Sequence, residues 1–176
     1  MSFKERFSDE EQLLLSATPM LIGSAMAMAE SSGLATIKEL MASAKTYMGG
    51  LKAYPHNEII QGILPNLDDR KEAMAQAKEF RQNATARIKE KHVGNREDFR
   101  QLLLSDTRDV NRLLKQKATA EESSEYKEWA ISVAENVAKA AKEGGFLGFG
   151  GERISTGEKA LFAELSASLG IDKTLA

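Results

Sequence analysis

The chain contains no cysteine, which removes disulfides, thiolate metal ligation, iron–sulfur ligation and cysteine nucleophiles together. That absence fits a reducing compartment. Proline is scarce, with three in 176 residues, so few positions interrupt a helix. Aromatic residues make up 6% of the chain, and β-branched residues never alternate as a half-buried strand requires. Neither charge sign dominates: 24 basic against 26 acidic side chains leave a net charge of −2, unlike a dedicated polyanion binder. The longest uncharged run, Leu13 to Ala29, has 17 residues and is diluted by Ser16, Thr18, Pro19, Gly23 and Ser24. A bilayer-spanning helix needs about 20 predominantly apolar residues, so this run reads as a buried core helix. Met1 to Glu11 is polar and charged, with no apolar stretch behind a basic head, and is not a secretory signal. The expected location is cytoplasmic.

What remains is rich in alanine, leucine, lysine and glutamate, and propensity summed over windows points to helix throughout. The expected fold is an all-α, single-domain bundle of seven or eight helices over residues 1–176. Ser8 and Glu11 form a capping box at the first start. Thr18-Pro19 predicts a kink or a second start, because proline suits a first turn and breaks an interior one. The residues after Pro19 are apolar nearly all round, as in a helix enclosed by others. A further helix is expected from Thr36 to Met48, stopped by Gly49-Gly50. Asn57 then caps a short helix from Glu58 to Ile63 that ends before Pro65.

Asp68 to His92 carries Ala73, Ala77, Phe80, Ala84 and Ile88 on one face, and Gly94-Asn95 breaks it. Arg96 to Lys117 repeats apolar residues at Phe99, Leu103, Val110 and Leu114, with a point of division at Ser105-Asp106. Residues 119–125 form the best linker candidate. Beyond them, Tyr126, Trp129, Val133, Val137 and Ala141 make a stripe, and Gly144-Gly145 ends it. Ser155 and Glu158 form another capping box. The last helix carries Leu161, Leu165 and Leu169, and Gly170-Ile171 has the form of a Schellman stop.

Two stretches echo one another. Leu21 to Leu34 and Ile131 to Gly145 are alanine-rich helices that run into a small-residue turn with glycine. A helix opening with an acid follows each, which allows the bundle to be two similar helix–turn–helix halves. In the second copy the pattern is carried by Ala140-Ala141, Gly144, Ile154, Ser155, Glu158 and Leu169-Gly170-Ile171. It resembles the tellurite-resistance TerB-like family of small bacterial helical proteins. The resemblance implies a compact helical bundle with an accessory role in stress or envelope physiology, and no catalysis. Glu143 stands where the family has aspartate before glycine, and Phe146 to Arg153 lengthen the turn. The acidic metal site attributed to the family is thereby in doubt.

Four candidate sites follow from the residues. The loop Gly144 to Gly151 places Phe146, Leu147 and Phe149 among glycines, either tucked under the bundle or exposed as a partner contact. Its amides precede a helix start, where an anion can bind, but the lysine of a P-loop and a preceding strand are missing. Residues 78 to 117 hold 11 basic and 6 acidic side chains. Lys89, Lys91, Arg96 and Arg100 are the anion-binding candidates, although acids interleave and stacking aromatics are few. Glu143 and Glu158 offer oxygen ligands for a hard cation, without the spacing of an EF-hand. His56 and His92 sit on separate segments and outside any Glu-x-x-His pair.

No nucleophile elbow or oriented histidine is present in the sequence. The expectation is therefore a non-enzymatic interaction or accessory protein without a cofactor, whose partner is a protein rather than nucleic acid or membrane. The alternatives are an anion or nucleic-acid binder through residues 78–117 and a carboxylate metal-binding protein.

Overall fold

The computed structural model describes residues 2–29, 34–65, 91–142 and 154–175, with Lys71, Met74, Ala75, Lys78, Gln82, Thr85, Ala86, Ile88 and Lys89 between them. Residues 34–40 and 141–142 are described by backbone alone. The helices are α1 (Phe3–Arg6), α2 (Asp9–Ala29), α3 (Leu34–Ala53), α4 (Glu58–Ile63), α5 (Arg96–Lys117), α6 (Ala120–Lys142) and α7 (Thr156–Leu169). The nine isolated residues between 71 and 89 are also helical, and no strand occurs among the described residues. The all-α bundle is the observed fold.

Local chemistry explains the helix starts. At α2, the Ser8 hydroxyl accepts from Glu11 N while the Glu11 carboxylate accepts from Ser8 N at 2.8 Å. Ser155 and Glu158 repeat this reciprocal pair at α7, and Asn57 accepts from Ile60 N at α4. Asn95 does the same for Asp98 N at α5. Each satisfies amides that a helix start leaves without partners. At the other end of α7, Gly170 takes φ 72, and Ile171 N donates back to Ser166 O. This is the Schellman arrangement expected of Gly170-Ile171.

α2 is the central helix. It packs against α3, α5, α6 and α7, and Leu15, Leu21, Ile22, Ala25, Met26 and Ala27 are buried along it. Among the described residues it is the one helix long and apolar enough to cross a membrane by length and composition. α6 lies parallel to α2: Tyr126 meets Leu15 near the start of both, and Val133 lies beside Gly23 a few turns on. α3 runs antiparallel to α2, placing Tyr47 by Ser16 and Ser43 by Gly23. α5 and α7 close the other side, tied by Asn111 to Ser168 O and by the Arg100–Glu164 pair. Where α2, α3 and α6 meet, Trp129 packs between Tyr47 and Tyr126, with ring centroids 5.2 and 5.6 Å away.

The structure corrects several expectations. Of the kink and the second start expected at Thr18-Pro19, the second start is excluded: Pro19 lies buried inside one continuous helix. Proline supplies no N–H to the carbonyl of residue 15, and a buried carbonyl without a donor is costly. The Tyr126 hydroxyl donates to Leu15 O at 2.6 Å, and the Tyr47 hydroxyl donates to Ser16 O at 3.3 Å. Two tyrosines from two neighbouring helices thus serve the carbonyls that the proline disturbs. Burial pushes both phenols above their ordinary value, so they remain donors.

Gly49-Gly50 does not stop α3, which continues to Ala53. A Cβ at Gly50 would lie 2.6 Å from Trp129 Nε1, so this glycine admits the indole. The indole N–H donates to Tyr47 O at 3.1 Å. α5 is not divided at Ser105-Asp106; the Thr107 hydroxyl donates to Leu103 O and Leu104 O within an unbroken helix. Residues 120–125, within the linker candidate, are the first turns of α6, started by a Thr119–Glu122 reciprocal pair. A short helix missed by sequence reasoning, α1, has a Ser2–Glu5 capping box and buries Phe3.

Candidate functional site

The buried polar groups near the start of the bundle join its helices. Arg6 of α1 makes a two-pronged ion pair with Glu122 of α6, at 3.0 and 2.7 Å. Thr119 N donates to the same carboxylate at 2.9 Å, and Asn57 Nδ2 donates to Glu122 O and to Glu125. Burial alone would raise the Glu122 carboxyl; the Arg6 guanidinium and the Thr119 amide outweigh it and hold the carboxyl below 4.5. Lys117 pairs with Glu11 at 2.7 Å close by, and that contact, with the Ser8 amide, also lowers Glu11. These groups tie α1, α4, α5 and α6 to the start of α2.

The residues singled out from the sequence fall in different places. Phe146, Leu147, Phe149 and Glu143 lie outside the described residues. Glu158 is buried at 3% exposure, and one of its carboxylate oxygens accepts from Ser155 N. Its observed part is that of a helix cap. Among the described residues, no group of three or more His, Cys, Asp or Glu is arranged to hold a metal ion. His56 and His92 are both exposed, and His92 takes φ 52 where the chain turns before α5.

The basic candidates separate into two kinds. Arg100 is half-buried and shared between Glu97 and Glu164, so its charge is largely balanced. Lys89, Lys91 and Arg96 are exposed. Lys89 also lines a shallow open cleft of about 430 Å³ with Lys78, Gln82, Thr85 and Ala86. These five recur at intervals of four, three, one and three, which places them along one face of a helix.

Sequence reasoning missed the exposed methionines. Met41 and Met74 keep 68% and 64% of their surface in water, and Met28 keeps 37%. Met28 ends α2 and Met41 lies in the second turn of α3, so both sit toward the end where these helices are joined. The buried positions Ser43, Tyr47 and Gly50 mark the inner face of α3. Met41, two residues before Ser43, lies roughly 200° around the helix from it, since each residue advances about 100°. That offset could have been read from the sequence had the inner stripe been known.

Comparison of the chain with family models, curated proteins and solved structures finds no match in any of the three.

Proposed function

We propose that this protein works by contact with another protein, as a non-enzymatic accessory component. The observation that carries the reading is the exposure of Met28 and Met41 toward one end of α2 and α3. Unbranched, polarizable methionine side chains adapt to apolar surfaces of varied shape, which suits them to a binding face. The glycine loop with Phe146, Leu147 and Phe149 is the second contact element of the proposal. A cytoplasmic, stress-related role in bacteria, as the TerB-like resemblance implies, completes it.

The test compares wild type with Met28→Ser/Met41→Ser and with Phe146→Ser/Phe149→Ser. Each is expressed at native level and recovered under mild conditions, and any co-purified protein is reconstituted with it from purified components. The reading expects a stoichiometric complex with wild type that one of the variants loses while retaining its helical signal and melting point. A wild-type protein that elutes alone, and binds none of the recovered candidates when purified, overturns it.

A specific observation supports a second reading, in which the face bearing Lys78 and Lys89 receives phosphate groups. The cleft there carries two cations with Gln82 and Thr85 between them. Affinity for nucleic acid or heparin that falls steeply with salt is the expected signature. No retention on heparin at low salt removes this reading.

A further inference from the structure

Residues 2–7 form a strap over the start of the bundle. Its helix, α1, is a single turn that packs on α4. One turn is too short to hold itself in water, so the strap takes its order from the surface beneath it. Phe3 lies against Gly62, where an added Cβ would come within 2.4 Å of the Phe3 Cβ, so this glycine admits the phenylalanine. Phe3 and Phe7 are both buried, with ring centroids 5.2 Å apart. Arg6 makes its two-pronged pair with Glu122. Lys117 donates to Arg6 O at 3.4 Å, and its ammonium stands 5.9 Å from the Phe7 ring centroid.

These features let the strap move as a unit. Glu5 N and Arg6 N donate to Ser2 O, and Phe7 N donates to Phe3 O, so these amides are satisfied within the strap itself. The strap is held to the rest of the chain through side chains: the phenylalanines, Arg6, and the Lys117 and Gln12 groups that serve its last carbonyls. Phe7 has extended backbone, with φ −118 and ψ 136, and Ser8 caps α2. Those two residues are the whole connection between α1 and α2. Rotation there swings the strap out and leaves both helices intact. The surface it uncovers reads an aromatic ring at Gly62 and a guanidinium at Glu122, and neither feature requires the strap to belong to the same chain.

We propose that the surface formed by Gly62, Lys117 and Glu122 is a self-recognition site, which takes residues 2–7 of a second copy of this chain in place of its own. Exchange preserves every anchor, and each copy covers the other's site, so the pair is isologous and closed. Tethering gives the chain's own strap an effective concentration on the order of millimolar. Dilute protein therefore keeps the strap on itself, and the exchanged pair forms where the chain is concentrated. The site stands at the start of α2, at the other end from Met28, and is independent of the methionine surface.

The experiment uses complementary charge reversals in the full chain. Arg6→Glu sets a carboxylate against Glu122, and Glu122→Arg sets a guanidinium against Arg6, so each variant rejects its own strap. In an equal mixture the reversed strap of one chain fits the reversed site of the other, and the two unreversed halves also fit. Each variant alone is expected to be a monomer by size exclusion with light scattering. The mixture is expected to form a dimer that melts above both. The double variant R6E/E122R restores the pair within one chain and should stay a monomer, as dilute wild type does. Gly62→Val in both chains obstructs Phe3 and should abolish the dimer. If a single variant is unstable, the two are refolded together from urea and the melting point of the mixture reads the same exchange. A mixture that elutes as monomers and melts as the sum of its parts overturns the proposal. So does a dimer that survives Gly62→Val, because its association would not use the strap site.

Discussion

Removing the Tyr126 hydroxyl should expose the consequence of a proline in the middle of the central helix. Tyr126 is fully buried, as is Leu15, and their hydrogen bond is 2.6 Å long. Tyr126→Phe deletes the donor and changes little else, leaving Leu15 O in the core without the hydroxyl and without the N–H that Pro19 lacks. An orphaned buried acceptor costs about 1–3 kcal/mol, which in a chain of this size lowers the melting temperature by roughly 2–4 °C per kcal/mol. The revealing comparison is Pro19→Ala. An alanine at 19 restores the N–H that an α-helix directs to the carbonyl of residue 15, so that oxygen gains a further donor beside the hydroxyl. Tyr126→Phe should then cost about 1 kcal/mol less than in the wild-type background, a coupling well above the roughly 0.3–0.5 kcal/mol scatter of independent sites. Urea unfolding followed by far-ultraviolet circular dichroism on the four proteins measures it. Equal costs in both backgrounds would refute the reasoning, because the tyrosine would then be acting through packing alone.

Other perturbations test other contacts. Gly23→Ala would place a Cβ 1.9 Å from Ser43 Oγ and 2.9 Å from Val133 Cγ1, and should destabilise by about 1–3 kcal/mol through overpacking. Ser43→Gly in the same chain should recover part of the loss, as read by thermal melting. Arg6→Met leaves the Glu122 carboxylate nearly buried without its partner and should cost about 3 kcal/mol in urea unfolding. Glu122 and Glu11 are both held below 4.5 in the fold, so they bind protons less tightly there than in the unfolded chain. Their contribution is fully present above about pH 4.5 and is lost as pH falls through their lowered values; Glu122→Gln should flatten the acid limb of the stability–pH curve. Gly170→Ala forces alanine into φ 72 and brings its Cβ within 2.8 Å of Asn111 Nδ2, which should cost at least about 1–2 kcal/mol on denaturant titration.

What the sequence made legible was local. Ser8–Glu11, Asn57, Ser155–Glu158 and Gly170-Ile171 are read correctly because a cap involves residues within one turn of each other. The enclosed character of α2 beyond Pro19 was also visible, since the residues there are apolar nearly all round. Gly49-Gly50 was misread because a glycine that ends a helix and a glycine that admits a neighbour's ring look the same in one sequence. Only the packing of Trp129 against Gly50 distinguishes them. At Pro19 a kink and a second start could not be told apart for the same reason: the hydroxyl that serves Leu15 O beside an interior proline comes from Tyr126, more than a hundred positions away.

The proposed contact with another protein lies at the end of the bundle bearing Met28 and Met41. Crosslinking mass spectrometry on the tagged protein at its native expression level tests this most directly. Crosslinks to one partner protein are expected on residues at that end of α3, Lys38 and Lys45 among them. The proposal would be contradicted if no protein crosslinks above background there and the isolated protein instead carries a phosphate-bearing ligand or nucleic acid on the Lys78–Lys89 face.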